Sequence, residues 1–174
     1  MILNKLKHIG ACVAAIFLLP ACGVFTLQAK DMVGQPAPHA RLMLFDGTEI
    51  PLSAHQGRYV AIVFWATWCP KSRKMIARYE ELARHYSRRD DIDFFAVSVD
   101  KNEDFGKLKD RIKAQSLTTM THIFSGNDSQ DEAFLSFKGN SVPYLVFINP
   151  NGTVIAVDDD FDTFQESLKL ELGS

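Results

Sequence analysis

The sequence predicts an α/β protein, and three stretches carry that expectation. RYVAIVFWA, residues 58–66, is an almost uninterrupted apolar run rich in β-branched and aromatic side chains, the composition of a central strand buried on both faces. From Pro70 the period changes. Met75, Ile76, Tyr79, Leu82, Ala83 and Tyr86 recur every three or four residues, with Arg73, Lys74, Arg78, Glu80, Glu81 and Arg84 mostly between them, which predicts an amphipathic helix of about four turns. IDFFAVSVD, residues 92–100, then returns to strand composition.

The other elements follow in order. Gly34, Pro36 and Pro38 discourage regular structure in KDMVGQPAPHA, and the Asp46-Gly47 pair between two apolar-rich runs is a hairpin signal. Beyond the second strand come a polar helical stretch around 102–115 and a short strand, MTHIF, at 120–124, so the middle of the chain reads β-α-β-α-β. DSQDEAFLSFK, residues 128–138, predicts a short helix with Ala133, Phe134 and Phe137 inward. SVPYLVFINPNGTVIAV reads as two strands joined by a tight turn, with Pro150 and Gly152 suited to positions i+1 and i+3 of a type I turn. Phe161, Phe164, Leu168 and Leu172 form a helical stripe, and Asp158, Asp159 and Asp160 stand where negative charge caps or precedes its first turn. There are no repeats and no low-complexity segments, and 174 residues at 47% hydrophobic content are enough for one domain with a real core.

The first 29 residues read as a separate unit. Lys5 and Lys7 precede an apolar run from Ile9 to Phe25 that carries no formal charge, the layout of an export signal or of an uncleaved anchor. Within it LLPAC, residues 18–22, resembles a bacterial lipoprotein box, which makes Cys22 the lipidation candidate. Cleavage near LQAK, residues 27–30, or retention as a membrane anchor are the alternatives. The expectation is an exported, periplasmic chain tethered to the membrane, with the folded domain at 30–174. A formal net charge of −2 and the lack of a basic stripe argue against nucleic acid as a partner, and a monomer is the default.

Of three cysteines, Cys12 and Cys22 lie in that N-terminal segment, so Cys69 is the one thiol of the domain and no disulfide can form within it. An unpaired cysteine in an oxidising compartment is either buried and inert or a reactive thiol. Cys69 stands where a buried strand meets a helix N-terminus, and the unpaired N–H groups and positive dipole end there favour thiolate. Pro70 lacks an N–H and suits the first helical turn, and Trp68 is placed to wall one side.

Strand, WATWCPKS, helix, and much later a Val-Pro opening a strand hairpin before a final helix resemble the thioredoxin-like fold, and within it the exported TlpA, ResA and DsbE-like branch. The matching stretches run from VGQPAPHARLMLFDGTEIPLS through VFWATWC and FFAVSVD to SVPYLVFINPNGTVI. The resemblance implies a central mixed sheet flanked by helices, with an N-terminal hairpin extension and a central βα insertion. It implies a cis bond before Pro143, beside Cys69, where the backbone at Val142 pairs with a substrate chain. Trp68, Pro70, Lys71, Val142 and Pro143 are therefore the expected substrate-binding residues, and Cys69 and Ser72 the expected catalytic pair.

The departures bear on chemistry. Dithiol members have a second cysteine where Ser72 stands, and serine cannot resolve a mixed disulfide; its hydroxyl is expected to donate a hydrogen bond to the Cys69 sulfur instead. Lys71 is expected to add a nearby positive charge, exposed and screened. The helix proline of thioredoxins falls at Ala77, the buried acid of some members at Val63, and a glutamate common in TlpA-like helices in the region of Lys74 and Met75. Three readings follow: a monothiol thiol–disulfide exchanger that needs an external thiol from a redox partner, a module that binds extended cysteine-containing partners without turnover, and a peroxidase of the related peroxiredoxin group. That last group has a threonine three residues before the cysteine, where this chain has Ala66, with Thr67 one position off. No cofactor is expected. His39, His55, His85 and His122 lack metal-ligand spacing, and Ser72 removes the second thiolate a copper site would use.

Overall fold

The computed structural model describes residues 31–173. The export, lipidation and anchor expectations for residues 1–29, Cys22 included, lie outside them.

A five-stranded mixed sheet organises the chain, in the order β5 (Thr121–Phe124), β4 (Ile92–Ser98), β3 (Tyr59–Trp65), β6 (Tyr144–Ile148), β7 (Val154–Asp158). Its central strand β3 is the 58–66 run, and every residue from Val60 to Trp65 is buried. It pairs in parallel with β4, which pairs in parallel with β5. On the other edge β3 runs antiparallel to β6, and β6 antiparallel to β7. The Gly152 N–H donates to the Asn149 carbonyl across the β6–β7 connection, which puts Pro150 and Gly152 at the expected turn positions. A separate hairpin, β1 (Arg41–Met43) with β2 (Glu49–Pro51), closes through Asp46-Gly47, where Gly47 has φ +85 and the Asp46 carboxylate accepts from the Thr48 N–H.

Alternation along each strand feeds two cores. On one face Ala61, Val63 and Trp65 of β3 meet Met75, Ile76, Tyr79, Leu82 and Ala83 of helix α1 (Pro70–His85), together with Leu108 of α2 (Phe105–Ala114) and Phe161, Phe164, Leu168 and Leu172 of α4 (Phe161–Leu172). On the other face Val60, Ile62 and Phe64 meet Leu42, Leu52 and the Ala133, Phe134 and Phe137 cluster at helix α3 (Glu132–Ser136). The helical stripes therefore point as their spacing predicts. Asp160 caps α4, its carboxylate accepting from the Thr163 N–H and hydroxyl. Among the described residues no helix is long and apolar enough to cross a membrane.

One element departs from its periodicity. Glu80, on the polar side of the α1 pattern, is buried at 2% exposure. Its carboxylate accepts from the Thr119 N–H at 3.1 and 3.2 Å, from the Thr119 hydroxyl at 2.7 Å and from Arg84 at 3.3 Å. The α2–β5 connection folds back onto α1 there, and the carboxylate supplies the acceptors its backbone needs.

Two tests follow. A Cβ on Gly139 would sit 2.3 Å from the buried Phe134 ring, whereas one on Gly106 meets nothing within 4 Å. Gly139→Ala should lower stability by about 1–3 kcal/mol, and Gly106→Ala should raise it by up to about 1 kcal/mol, both read from urea midpoints. His122 bonds the Leu117 carbonyl through Nε2 at 2.9 Å, while its buried Nδ1 has no partner. Burial pushes this imidazole below its ordinary value, against the Leu117 bond and the Glu80 charge. The native state thus holds fewer protons than the unfolded chain just below the unfolded value of about 6.5, so stability present above that pH is lost as pH falls from there through the folded value. His122→Gln should remove part of the drop in urea midpoint between pH 7.5 and 5.5.

Candidate active site

The site forms where β3 ends. Trp65 is the last strand residue, Ala66 and Thr67 turn the chain, and Cys69 is the N-cap of α1 with Pro70 at its first position. This places Cys69 Sγ before the free N–H groups of the first turn, and the Ser72 amide donates to it at 3.5 Å. On its other side the Sγ–H donates to the Val142 carbonyl at 3.4 Å. The Val142–Pro143 bond is cis, Pro143 is buried at the entrance to β6, and Cys69 and Val142 are each half-buried against the second core. Residues 73 positions apart in sequence thus meet at one sulfur.

Trp68 projects beside them at 59% exposure. Between it and α2 lies an open groove of about 600 Å³ lined by Thr67, Asp104, Lys107, Asp110 and Arg111. Lys107 is paired with Asp104 at 2.6 Å. Among the described residues Cys69 is the one free cysteine, and no group of three or more His, Cys, Asp or Glu could hold a metal ion.

One site expectation needs correction. Ser72 lies beside Cys69, but its contact with the sulfur is made by the backbone amide. The hydroxyl is fully buried and has no hydrogen-bond partner, because the first helical turn aims the amide, not Oγ, at the capping atom. Lys71 is exposed, and its Nζ lies 3.4 Å from Asp159, on the connection between β7 and α4. Both partners are well exposed, so the pair is a weak, screened contact on the rim.

Sequence reasoning missed Asp100. It follows β4, is fully buried, and accepts four bonds: from the Thr67 N–H at 3.1 and 3.0 Å, from the Thr67 hydroxyl at 2.7 Å, and from the Ser98 hydroxyl at 2.6 Å. Arg73, on α1, donates from Nη1 to the Thr67 carbonyl at 3.0 Å. The signal for Asp100 was present: a carboxylate closing an otherwise apolar strand run must find partners, and the nearest loop supplies them.

A β-sheet strand delivering a single thiol to a helix N-terminus opposite a cis-proline defines a thioredoxin-like protein. The chain belongs to the AhpC/TSA family, whose pattern matches residues 33–157. It is 28% identical over 133 residues to the thiol-disulfide oxidoreductase ResA of Bacillus thuringiensis subsp. konkukian, covering 76% of this chain and 73% of that one. It is 27% identical over 152 residues to ResA of Geobacillus kaustophilus, covering 83% of each. Among solved structures, a thiol-disulfide oxidoreductase from Bacteroides fragilis superposes with a TM-score of 0.69 at 21% identity, over 79% of this chain and 99% of that one. A putative thiol:disulfide interchange protein DsbE from Chlorobium tepidum superposes at 0.65 and 22% identity, over 80% and 94%.

The unpartnered Ser72 hydroxyl generates a prediction. Ser72→Ala removes a buried group that makes no bond, so stability should change by no more than about 1 kcal/mol, and the rate of Cys69 alkylation should be unaltered. A large fall in that rate would restore a role for the hydroxyl.

Proposed function

We propose that this protein is an exported monothiol thiol–disulfide exchange protein whose reacting group is Cys69. The observation that carries the reading is the sulfur's position: half-exposed at a helix N-cap, next to the carbonyl that precedes cis-Pro143. The similarity to thiol-disulfide oxidoreductases supports the same class. In the first step the Cys69 thiolate attacks one sulfur of a partner's disulfide. That S–S bond breaks, the other partner sulfur leaves as a thiolate and takes up a proton, and a mixed disulfide remains on Cys69. Ser72 has no sulfur with which to displace the partner. An external thiol therefore attacks the adduct, forms a disulfide with the partner and returns Cys69 to its starting state.

Extended, cysteine-containing proteins are the substrates this site accommodates. The backbone at Val142 offers strand-like pairing, Pro143 and Pro70 bound the approach to the sulfur, and Trp68 with the groove beside it receives the flanking chain. Lys71, tied to Asp159, forms the opposite rim. The N-terminal segment takes the chain to the cell envelope, with Cys22 lipidation or a retained anchor as its tether.

A second reading is a module that captures such partners without turnover, and it is favoured by Cys69 being the one cysteine among the described residues. Peroxidase chemistry has less support. Ala66 carries no hydroxyl, and that of Thr67 is engaged by Asp100.

The test uses the full chain and glutathione disulfide as probe, with adducts located by mass spectrometry of the Cys69 peptide. The wild type should form a Cys69–glutathione adduct that persists until reduced glutathione is added, and Cys69→Ser should leave that peptide unmodified. Ser72→Cys should shed the adduct at least tenfold faster without added thiol. No adduct on the wild type would sink the proposal, and an adduct that added thiols fail to release would favour the capture module.

A further inference from the structure

The residue before Trp68 is gripped from both sides by groups of opposite charge. Thr67 gives its N–H and hydroxyl to the Asp100 carboxylate, behind the loop, and its carbonyl accepts from the Arg73 guanidinium. Arg73 belongs to the first turn of α1, its amide donating to the Cys69 carbonyl at 3.1 Å, and its own carbonyl accepts from Gln115 at 3.1 Å, where α2 ends. The grip therefore ties β4, α1 and the end of α2 to one loop residue.

A buried carboxylate is a costly way to hold a loop. Asp100 is fully buried, and among the described residues it forms no ion pair. Neutral acceptors would satisfy the Thr67 donors with far less desolvation. The charge has a second effect that a neutral acceptor lacks. Thr67 is two residues from Cys69, so their Cα atoms are at most about 7.6 Å apart. The Asp100 carboxylate sits directly behind that residue, and a buried charge is screened much less than an exposed one. It opposes negative charge on Sγ, whereas Arg73 favours it. The other charged groups around the loop occur with both signs: Lys71 lies beside Asp159 on the exposed rim, and across the groove Lys107 is paired with Asp104 and also feels the Asp100 charge, with Asp110 and Arg111 next to it.

We propose that Asp100 and Arg73 are positioning residues that act on Cys69 through Thr67 and tune its reactivity in opposite directions, the carboxylate restraining the thiol and the guanidinium promoting it. The inference rests on Cys69 being the reacting group. Its test measures the thiol directly and needs no disulfide exchange, so the two ideas fail separately.

The experiment follows iodoacetamide alkylation of the Cys69 peptide in the full chain between pH 5.5 and 8.5, for the wild type, Asp100→Asn, Arg73→Gln and Thr67→Val. Asparagine keeps one oxygen for the Thr67 N–H and an amide group that can donate to a hydroxyl that rotates, so it removes the charge together with one of the two contacts to that N–H. Asp100→Asn should alkylate several-fold faster than wild type at pH 6, and Arg73→Gln several-fold slower. Thr67→Val, which loses a tether and no charge, should scale the rate equally at every pH. A loop held for structural reasons alone predicts the same sign for both charge variants, and that result, or an unchanged profile in either, overturns the proposal. If Asp100→Asn fails to fold, the half-buried Arg73 decides: an unaltered pH profile in Arg73→Gln rejects the idea. Wild-type Cys69 that resists alkylation throughout would reject the functional reading as well.

Discussion

Everything at the site depends on the double burial of β3. It is hydrogen-bonded on one edge to a parallel neighbour and on the other to an antiparallel one, with cores on both faces. A strand so enclosed cannot slip by one residue without exchanging its two faces, because side chains alternate with period two. Its C-terminal end is therefore a fixed point, and Cys69 is delivered four residues beyond it. β6 is locked to the same strand in register, with Phe64 opposite Tyr144, so cis-Pro143 arrives at the matching height from the other direction.

The capping geometry converts that fixed point into a chemical environment. A cysteine at an N-cap faces amides that have no other partner, and Pro70 takes the one early position where a missing N–H costs nothing. The same sulfur touches the Val142 carbonyl. Donor and acceptor contacts thus meet on one atom, and charges within reach of the loop have leverage on which contact dominates.

The fold was legible because its signals are periodic and local. The apolar run at 58–66, the three-to-four spacing in α1 and the C-terminal stripe each report burial on a known face, and the sheet buries them so. Asp46-Gly47 and Pro150-Asn151-Gly152 announced their turns by residue type. Cys69 and Pro70 were legible for the same reason, since a helix start is a local event. Glu80 and Asp100 were not, because a buried carboxylate is justified by whatever loop folds onto it. Thr119 is 39 residues from Glu80 and Thr67 is 33 from Asp100. Ser72 shows a third kind of failure: the residue was placed correctly beside the sulfur, but backbone geometry, not side-chain chemistry, chose which of its atoms makes contact. Lys71 found Asp159 for a similarly nonlocal reason.

The segment ahead of β1 does more than lead into the hairpin. Gly34, Gln35 and Ala37 exchange backbone bonds with Val154 and Gly152 at the β7 margin, and Pro36 bridges Thr153. Farther on, Leu44 bridges Ile123 on β5, the opposite margin. One stretch of chain thus engages both outer strands, which are the places where a sheet would otherwise offer open N–H and C=O rows to another molecule. Beyond packing a core, residues 34–44 cover part of each outer margin against edge-to-edge pairing with another chain.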